Sequence, residues 1–245
     1  MRRYALIGRR LGHSFSKRYF TEKFQRENID AMYELMEVDD IASIRDVISA
    51  DDTLFGLNVT IPYKERVIPY LDAIDECAAA VGAVNCISIS GGRTIGHNTD
   101  VIGISRTFSQ LNVKDISRAI VLGTGGAAKA VSYVLQQQKI PYVIISRDMQ
   151  RGDYTYDTLP RSVIADSHLI INTTPLGMYP DISSAPAIDY SAIGAQHRIF
   201  DLIYNPPTTL FLQRCADQGA VVIGGELMLK VQAEASWALW SSDNK

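Results

Sequence analysis

The sequence predicts an α/β protein built from two domains. Short apolar runs alternate with stretches of helical periodicity, and a glycine-rich loop stands between one such run and a helix. The length of 245 residues is enough for two modest domains. Hydrophobic residues at 47% and charged residues at 21% are typical of a globular protein, so we expect a chain that folds by itself.

The first hundred residues favour alternating strands and helices. Apolar runs predict strands at 4–8, 31–36 and 55–60, and a hairpin of 84–90 and 93–97 around Gly91-Gly92. Pro62 follows the third run and ends its ladder.

Two helices are expected between these strands. Ser16 is a suitable N-cap for a helix that runs through Phe20 and Phe24. Asp39 or Asp40 can cap a second helix, whose apolar face consists of Ile41, Ile44, Val47 and Ile48.

The second half of the chain begins a βαβ unit. Its strands are expected at 119–122, 142–145, 169–171, 199–202 and 221–223. Between the first of these and a helix stands Gly123-Thr124-Gly125-Gly126-Ala127-Ala128, which fits G-x-G-x-x-G/A. Gly123 suits the tight turn, and Gly125 allows a pyrophosphate to approach the backbone. Gly126, Ala127 and Ala128 open the helix, where amide groups can face phosphate oxygens. We therefore predict a Rossmann-like doubly wound domain whose glycine-rich loop binds a dinucleotide. The alternative for the loop is a glycine-rich turn that binds no ligand.

The domain boundaries follow from this order of elements. We expect a substrate-binding domain of residues 1–101, completed by a C-terminal helix at 226–245. Residues 102–225 then form the dinucleotide-binding domain.

The end of the second strand of the βαβ unit indicates which dinucleotide binds. An NAD site usually offers an acidic residue there to the ribose hydroxyls, whereas this chain has Ser146-Arg147-Asp148. Arg147 suggests a 2′-phosphate, and Arg151 is near enough to add a second positive charge. Asp148 opposes this preference by repulsion. A solvated loop arginine without a ligand is the alternative.

The first domain holds an unusual set of polar residues. Ser14 and Ser16 follow the first strand, at the edge where open α/β sheets bind ligands. Asn58 and Thr60 alternate along their strand and are expected on one face, and Lys64 follows shortly after. Helix capping by Ser16 and a solvated Lys64 are the alternatives.

Several longer segments together resemble the shikimate dehydrogenase family. They are Asn58–Lys64, Gly82–Asn85, Asn98–Asp100, Gly123–Ala128, Asn172–Met178, Asp201–Pro206, and Met228-Leu229 with Gln232. The resemblance covers nearly the whole chain. Two positions depart from the family pattern, because Lys17 stands where Pro is frequent and Ser146-Arg147-Asp148 replaces Asn-Arg-Thr.

The resemblance implies a role for each matching residue. Ser14 and Ser16 bind the substrate carboxylate, and Lys64 and Asp100 form the catalytic pair. The implied contacts to the rest of the substrate come from Asn58, Thr60, Lys64, Asn85, Asp100, Tyr204 and Gln232. The implied cofactor contacts are Gly123, Gly125, Gly126, Ala127, Ala128, Ser146, Arg147, Arg151, Thr173, Met178, Leu202, Gly225 and Met228.

The function implied by the resemblance is the reversible NADP-dependent reduction of 3-dehydroshikimate to shikimate in aromatic amino acid biosynthesis. Two alternatives stay open: a quinate/shikimate dehydrogenase that uses NAD, and a non-catalytic ligand sensor of the same fold. The presence of both Lys64 and Asp100 favours an enzyme.

Composition narrows the partners and the compartment. A net charge of -3 argues against binding to nucleic acid or anionic lipid. No signal peptide and no membrane-spanning run is expected. Three widely spaced cysteines suit a reducing cytoplasm, and the four histidines have no metal-ligand spacing, so we expect no metal. Both a monomer and a homodimer are compatible with the sequence.

Overall fold

The computed structural model describes residues 1–12 and 14–242. The chain divides into two compact units. The first runs from Met1 to Thr99 and includes the chain from Ala233 onward, and the second is Asp100–Gln232. The boundaries expected at 101 and 226 stay a prediction.

The first unit is built around a mixed six-stranded sheet. Its elements are β1 (Arg2–Gly8), α1 (Phe15–Arg26), β2 (Ala31–Glu37), α2 (Ile44–Ser49), β3 (Leu54–Val59), β4 (Ala73–Ile74), α3 (Glu76–Val81), β5 (Cys86–Ser90) and β6 (Arg93–His97). The strand order is β2-β1-β3-β5-β6-β4. β1 is parallel to both of its neighbours, whereas β5 is antiparallel to β3 and β6. The predicted hairpin is present, and Gly91 and Gly92 have φ of 56° and 78°, which glycine adopts without strain.

Helix α1 begins one residue before the expected N-cap. Ser14 has extended backbone angles, and its side chain accepts a hydrogen bond from the Lys17 amide at 3.4 Å. Ser16 lies in the first turn and is buried. The expectation that Ser16 caps the helix is therefore wrong, because the cap is the last non-helical residue and Ser14 occupies that place. His13 lies outside the described residues.

Strand β3 begins and ends one residue earlier than predicted. It ends at Val59, so alternation along the strand does not place Thr60 on the face of Asn58. The second expected helix is also divided: Asp40 caps a short 3-10 turn at Ile41–Ser43, and α2 follows.

An aromatic cluster forms one of the cores of the first unit. Tyr4, Phe20, Phe24, Tyr33 and Trp240 are all buried in it. The Tyr4 and Trp240 rings stack with centroids 4.9 Å apart, and the Trp240 indole Nε1 donates to the Ile87 carbonyl at 2.9 Å. A side chain at Gly56 would clash with the Trp240 ring. The C-terminal helix is thus fixed to the sheet within this unit.

The second unit is a six-stranded parallel sheet with helices. Its elements are α4 (Asp100–Leu111), β7 (Ala119–Leu122), α5 (Gly126–Gln137), β8 (Tyr142–Ser146), β9 (Tyr154–Thr155), α6 (Arg161–Asp166), β10 (Leu169–Asn172), β11 (Arg198–Asp201), α7 (Leu210–Asp217), β12 (Val221–Ile223) and the start of α8 (Glu226–Ser242).

The strand order of this sheet is β12-β11-β10-β7-β8-β9, and all pairs are parallel. Counted along the chain this is 6-5-4-1-2-3, the doubly wound order of dinucleotide-binding sheets. The expected Rossmann-like fold is confirmed. The order reverses between β7 and β10, and such a switch point is where ligands bind at the carboxyl edge.

Residues 1–12 and 14–242 contain neither a membrane-spanning helix nor a metal cluster. No helix in these ranges is long and apolar enough to cross a membrane. No group of three or more His, Cys, Asp or Glu side chains there is arranged to hold a metal ion.

Candidate active site

The glycine-rich loop lies at the switch point of the second sheet. Gly123 has a φ of 112°, and a Cβ on it would approach the Thr173 Oγ1 to 2.6 Å. Thr173 follows β10 and donates from both its amide and its hydroxyl to the Leu122 carbonyl, at 2.9 and 2.7 Å. The loops after β7 and β10 are therefore in contact, and only glycine fits at position 123.

The start of α5 is shaped to receive an anion. Gly125 is its N-cap and provides no side-chain cap, and a Cβ there would meet no described atom within 4 Å. The amides of the first turn, at Gly126, Ala127 and Ala128, lack the intrahelical partners that later residues have. Open space in front of orphan amides at the positive end of the helix dipole fits a pyrophosphate. The residues present thus fit a dinucleotide.

One arginine contacts this loop, and a second directly follows β8. Arg151 donates through Nη2 to the Thr124 carbonyl at 3.3 Å, which brings its charge to the glycine-rich loop. Arg147 is exposed at the end of β8 and opposes the rise that burial causes in the pKa of Tyr156.

Asp148, which lies between these arginines in the sequence, forms hydrogen bonds with its neighbours along the chain. The Asp148 Oδ1 accepts from the Gln150 amide at 2.9 Å, and its own amide donates to the Ser146 Oγ at 3.1 Å. Asp148 therefore caps the turn that carries Arg151. This arrangement fits a site that holds a phosphate with its arginines.

A buried polar network supports the loop that follows β10. The Asp201 carboxylate accepts from the Asn172 Nδ2 at 3.0 Å, the Ile203 amide at 3.1 Å and the Thr209 hydroxyl at 2.6 Å. Asn172 Oδ1 in turn accepts from the Thr174 amide at 3.0 Å. Burial raises the pKa of Asp201 to about 6, against the effect of these hydrogen bonds.

Sequence reasoning did not single out Asp201 as a functional residue. A polar residue at the end of an otherwise buried strand was the available signal.

Gly225, another expected cofactor residue of the second unit, lies in close contact with the backbone after β11. The Gly225 amide donates to the Ile203 carbonyl at 2.9 Å, and a side chain at Gly225 would clash with the Leu202 carbonyl. Tyr204 and Gly225 line one cavity of about 340 Å³. Met178 is exposed on its loop.

The start of α8 packs closely on α4. A Cβ at Gly103, one turn after Asp100, would lie 2.6 Å from the Met228 carbonyl oxygen. Asp100 and Gln232 are both buried, and the Gln232 Nε2 donates to the Leu229 carbonyl at 3.0 Å.

In the first unit, three expected substrate residues are buried polar side chains. Ser16, Asn58 and Asn85 are 8%, 5% and 3% exposed. The Asn85 Oδ1 accepts from the Thr99 amide at 2.7 Å, immediately before Asp100 in the chain. The Lys64 carbonyl accepts from the Val84 amide at 2.7 Å, so Lys64 is anchored beside the Asn85 segment.

The expected site residues are distributed over both units. Ser14, Ser16, Asn58, Thr60, Lys64 and Asn85 belong to the first unit, and Asp100, Tyr204 and Gln232 belong to the second. The pairing of Lys64 with Asp100 stays a prediction.

Comparison with known proteins identifies the family. The model of the shikimate dehydrogenase substrate binding domain matches residues 6–87. The shikimate dehydrogenase (NADP(+)) of Methanosphaera stadtmanae is 35% identical over 243 residues, which cover 91% of this chain and 86% of that protein. The chain belongs to the shikimate dehydrogenase family. The resemblance inferred from the motifs is thereby confirmed.

Solved structures of shikimate dehydrogenases and a related enzyme have the same fold. The shikimate 5-dehydrogenase of Thermus thermophilus, in complex with NADP(H) and shikimate, has a TM-score of 0.88 at 26% identity, with 99% of this chain and 94% of that chain covered. The quinate dehydrogenase of Corynebacterium glutamicum, in complex with NAD, has a TM-score of 0.87 at 26% identity, with coverage of 98% and 94%. The fold therefore does not separate these two activities.

Proposed function

We propose that this chain is an NADP-dependent shikimate dehydrogenase, which reversibly reduces 3-dehydroshikimate to shikimate in aromatic amino acid biosynthesis. The observation that carries the proposal is the 35% identity to a shikimate dehydrogenase (NADP(+)) over 91% of the chain. The glycine-rich loop at the switch point and Arg151 beside it supply independent support.

The second unit holds the dinucleotide in this proposal. The amides at the start of α5 bind the pyrophosphate, and Arg147 and Arg151 bind the 2′-phosphate. Thr173, Met178, Leu202, Gly225 and Met228 line the path of the rest of the cofactor, and Ser146 lies at the ribose. When bound, the nicotinamide supplies the hydride that is exchanged with the substrate carbon.

Lys64 and Asp100 are responsible for the proton transfer that accompanies hydride transfer. During reduction the Lys64 ammonium donates a proton to the oxygen of the carbonyl being reduced, and during oxidation the neutral amine accepts it. Asp100 positions both the lysine and the substrate. Neither residue has to change its place between the two directions.

The other polar residues of the first unit orient the substrate. Ser14 and Ser16 donate hydrogen bonds to the carboxylate, and Asn58, Thr60 and Asn85 hold the ring hydroxyls. Tyr204 and Gln232 complete these contacts from the second unit. Orientation of this kind contributes to rate because the reacting atoms no longer have to find each other in solution.

The compartment and the oligomeric state belong to the same proposal. We expect the enzyme to act in the cytoplasm, as a monomer or a homodimer.

The test is an absorbance assay of dinucleotide reduction in a two-by-two design. Purified protein receives shikimate or quinate, each with NADP or NAD. The proposal expects the highest kcat/KM for shikimate with NADP. A higher value for quinate with NAD would favour the quinate dehydrogenase alternative. Binding of shikimate by calorimetry without turnover in any combination would favour the non-catalytic sensor.

A further inference from the structure

A network of buried hydrogen bonds in the first unit includes Asn58, one of the expected substrate residues. The Tyr33 hydroxyl donates to the Asn58 Oδ1 at 2.7 Å. The Asn58 Nδ2 donates to the Ser236 Oγ at 3.0 Å, and the Ser236 and Thr99 hydroxyl oxygens are 3.1 Å apart. Tyr33 and Ser236 are buried, at 3% and 0% exposure, and neither belongs to a motif singled out in the sequence.

One acceptor fixes the orientation of the Asn58 side-chain amide in this series of hydrogen bonds. The Asn58 Nδ2 also lies 3.3 Å from the Asn85 carbonyl oxygen, which can only accept. A reversed Asn58 amide would point its own oxygen at that carbonyl. The nitrogen therefore faces Asn85 and Ser236, and the oxygen faces Tyr33.

The network continues from Ser236 towards Asn85. Ser236 accepts from Asn58, and its Oγ shares a hydrogen bond with the Thr99 hydroxyl in which either group can donate. Thr99 donates to the Asn85 Oδ1 at 3.2 Å, and the Asn85 Nδ2 donates to Thr99 at 3.0 Å. Asn58 and Asn85 are thus oriented by one continuous network.

At its other end the network reaches a serine of the expected carboxylate site. Hydrogen bonding with Ser16 opposes the large rise that burial causes in the pKa of Tyr33. Ser16 is therefore a hydrogen-bond neighbour of the Tyr33 hydroxyl. Tyr33 then links Ser16 to Asn58.

We propose that Tyr33 and Ser236 are positioning residues that set the Asn58 amide so that it meets the substrate only as a hydrogen-bond acceptor. Both Asn58 N–H groups are used, by Ser236 and by the Asn85 carbonyl. The second lone pair of the Asn58 Oδ1 is the capacity that is left. Such an oxygen selects a ring hydroxyl, which can donate, over a carbonyl or ether oxygen, which cannot. This inference rests on the proposed function.

The principal test is Tyr33→Phe, which removes one oxygen and keeps the ring. Tyr4→Phe is the matched control, because Tyr4 lies in the same aromatic cluster and its buried hydroxyl has no hydrogen-bond partner among the residues that the structure describes. For Tyr33→Phe we expect the KM for shikimate to rise about tenfold. We expect kcat and the KM for NADP to change by about twofold or less, because the amide acts equally in the ground and transition states. Tyr4→Phe should leave all three constants at parental values.

Substrate analogues supply a readout that a purely structural role would not move. The parent should discriminate against either 4-deoxyshikimate or 5-deoxyshikimate, whichever lacks the hydroxyl that Asn58 accepts from. Tyr33→Phe should lose most of that discrimination, since its Asn58 amide is no longer held.

A second variant keeps the test decisive if Tyr33→Phe does not fold. Ser236→Ala removes the partner on the other side of Asn58, and Ser167→Ala is its control, since Ser167 is equally buried and its hydroxyl has no partner within the described part of the chain. Kinetic constants of Tyr33→Phe and Ser236→Ala that equal those of their controls would overturn the inference. An inactive parent would instead overturn the proposed function.

Discussion

The Asn172 Nδ2 donates a hydrogen bond to the Asp201 Oδ1 at 3.0 Å, and it thereby joins the carboxyl ends of β10 and β11. Asp201 is completely buried, with a pKa raised to about 6 by burial. The folded protein therefore holds this proton between about pH 4 and 6, where the unfolded chain has released it. The contribution of Asp201 to stability is fully present below about pH 4 and is lost as the pH rises through about 6.

Asp201→Asn is expected to remove this dependence. Between about pH 4 and pH 7 the unfolding free energy of the parent should fall relative to the variant, by about 1–3 kcal/mol. Urea unfolding of both proteins at several pH values measures the difference. Asp189→Asn is the control, because hydrogen bonds from Ser191 and Arg161 lower the pKa of Asp189, so its contribution is lost only below about pH 4. A parent-to-variant difference that stays level across this pH range would contradict the prediction.

Lys64→Ala is expected to lower kcat by about 10²–10⁴-fold, with a smaller effect on the KM for shikimate. A general acid acts in the transition state, so its loss appears mainly in kcat. Lys64→Met keeps the apolar stem and should be equally impaired. A kcat close to that of the parent in both variants would remove Lys64 from the mechanism.

One role of Ser14 is observed and a second is proposed, and variants can separate them. It caps α1 and is also expected to bind the substrate carboxylate. Ser14→Ala should lower the unfolding free energy by about 1 kcal/mol and raise the KM for shikimate. Ser14→Asp keeps a good N-cap but repels the carboxylate, so we expect a raised KM with stability near that of the parent.

Ser16 is the comparison for this pair of variants. It is buried in the first turn and does not cap the helix. Ser16→Ala should raise the KM for shikimate with little change in kcat. If shikimate is bound and turned over normally by Ser14→Asp and Ser16→Ala alike, the carboxylate lies elsewhere.

Arg147→Ala and Arg151→Ala are each expected to reduce the preference for NADP over NAD. Loss of one charge-assisted contact to the 2′-phosphate corresponds to roughly tenfold, or about 1.4 kcal/mol. The kcat/KM for both dinucleotides gives the preference, and kcat/KM with NAD should hardly change. Raised ionic strength should reduce the difference in NADP preference between the parent and the variants, because both arginines are exposed and salt screens their charges. An undiminished preference in both variants would show that neither residue reads the phosphate.

The sequence was most informative where a structure is local. Apolar runs predicted the longer strands of both sheets, and the spacing from Gly123 to Ala128 predicted the turn into α5. The elements that it missed include short ones, such as β4 with two residues and α3 with six, which depend on contacts formed by the rest of the fold. The twelve-residue helix α4 was also missed. Two serines so close together both fit the start of α1, and only the backbone angles of Ser14 decide which one is the cap.

The parts of the site that were not predicted depend on long-range contacts. Tyr33 reaches Asn58 across 25 residues of chain, and Ser236 reaches it across 178. A tyrosine in an apolar strand and a serine in a helix have no local signal that reveals a partner so distant. The pKa of Asp201 is likewise a product of burial, which motif spacing does not express.

Helix α8 has a consequence for the order in which the protein is made. Its residues up to Gln232 belong to the second unit, and those from Ala233 belong to the first. On the ribosome, Tyr4, Phe20, Phe24 and Tyr33 emerge before the second unit, whereas Trp240 emerges after it. The unit that is synthesised first is therefore completed last. Its aromatic side chains lack their Trp240 partner while the whole second unit is translated. We expect a nascent chain halted before α8 to engage chaperones through this surface.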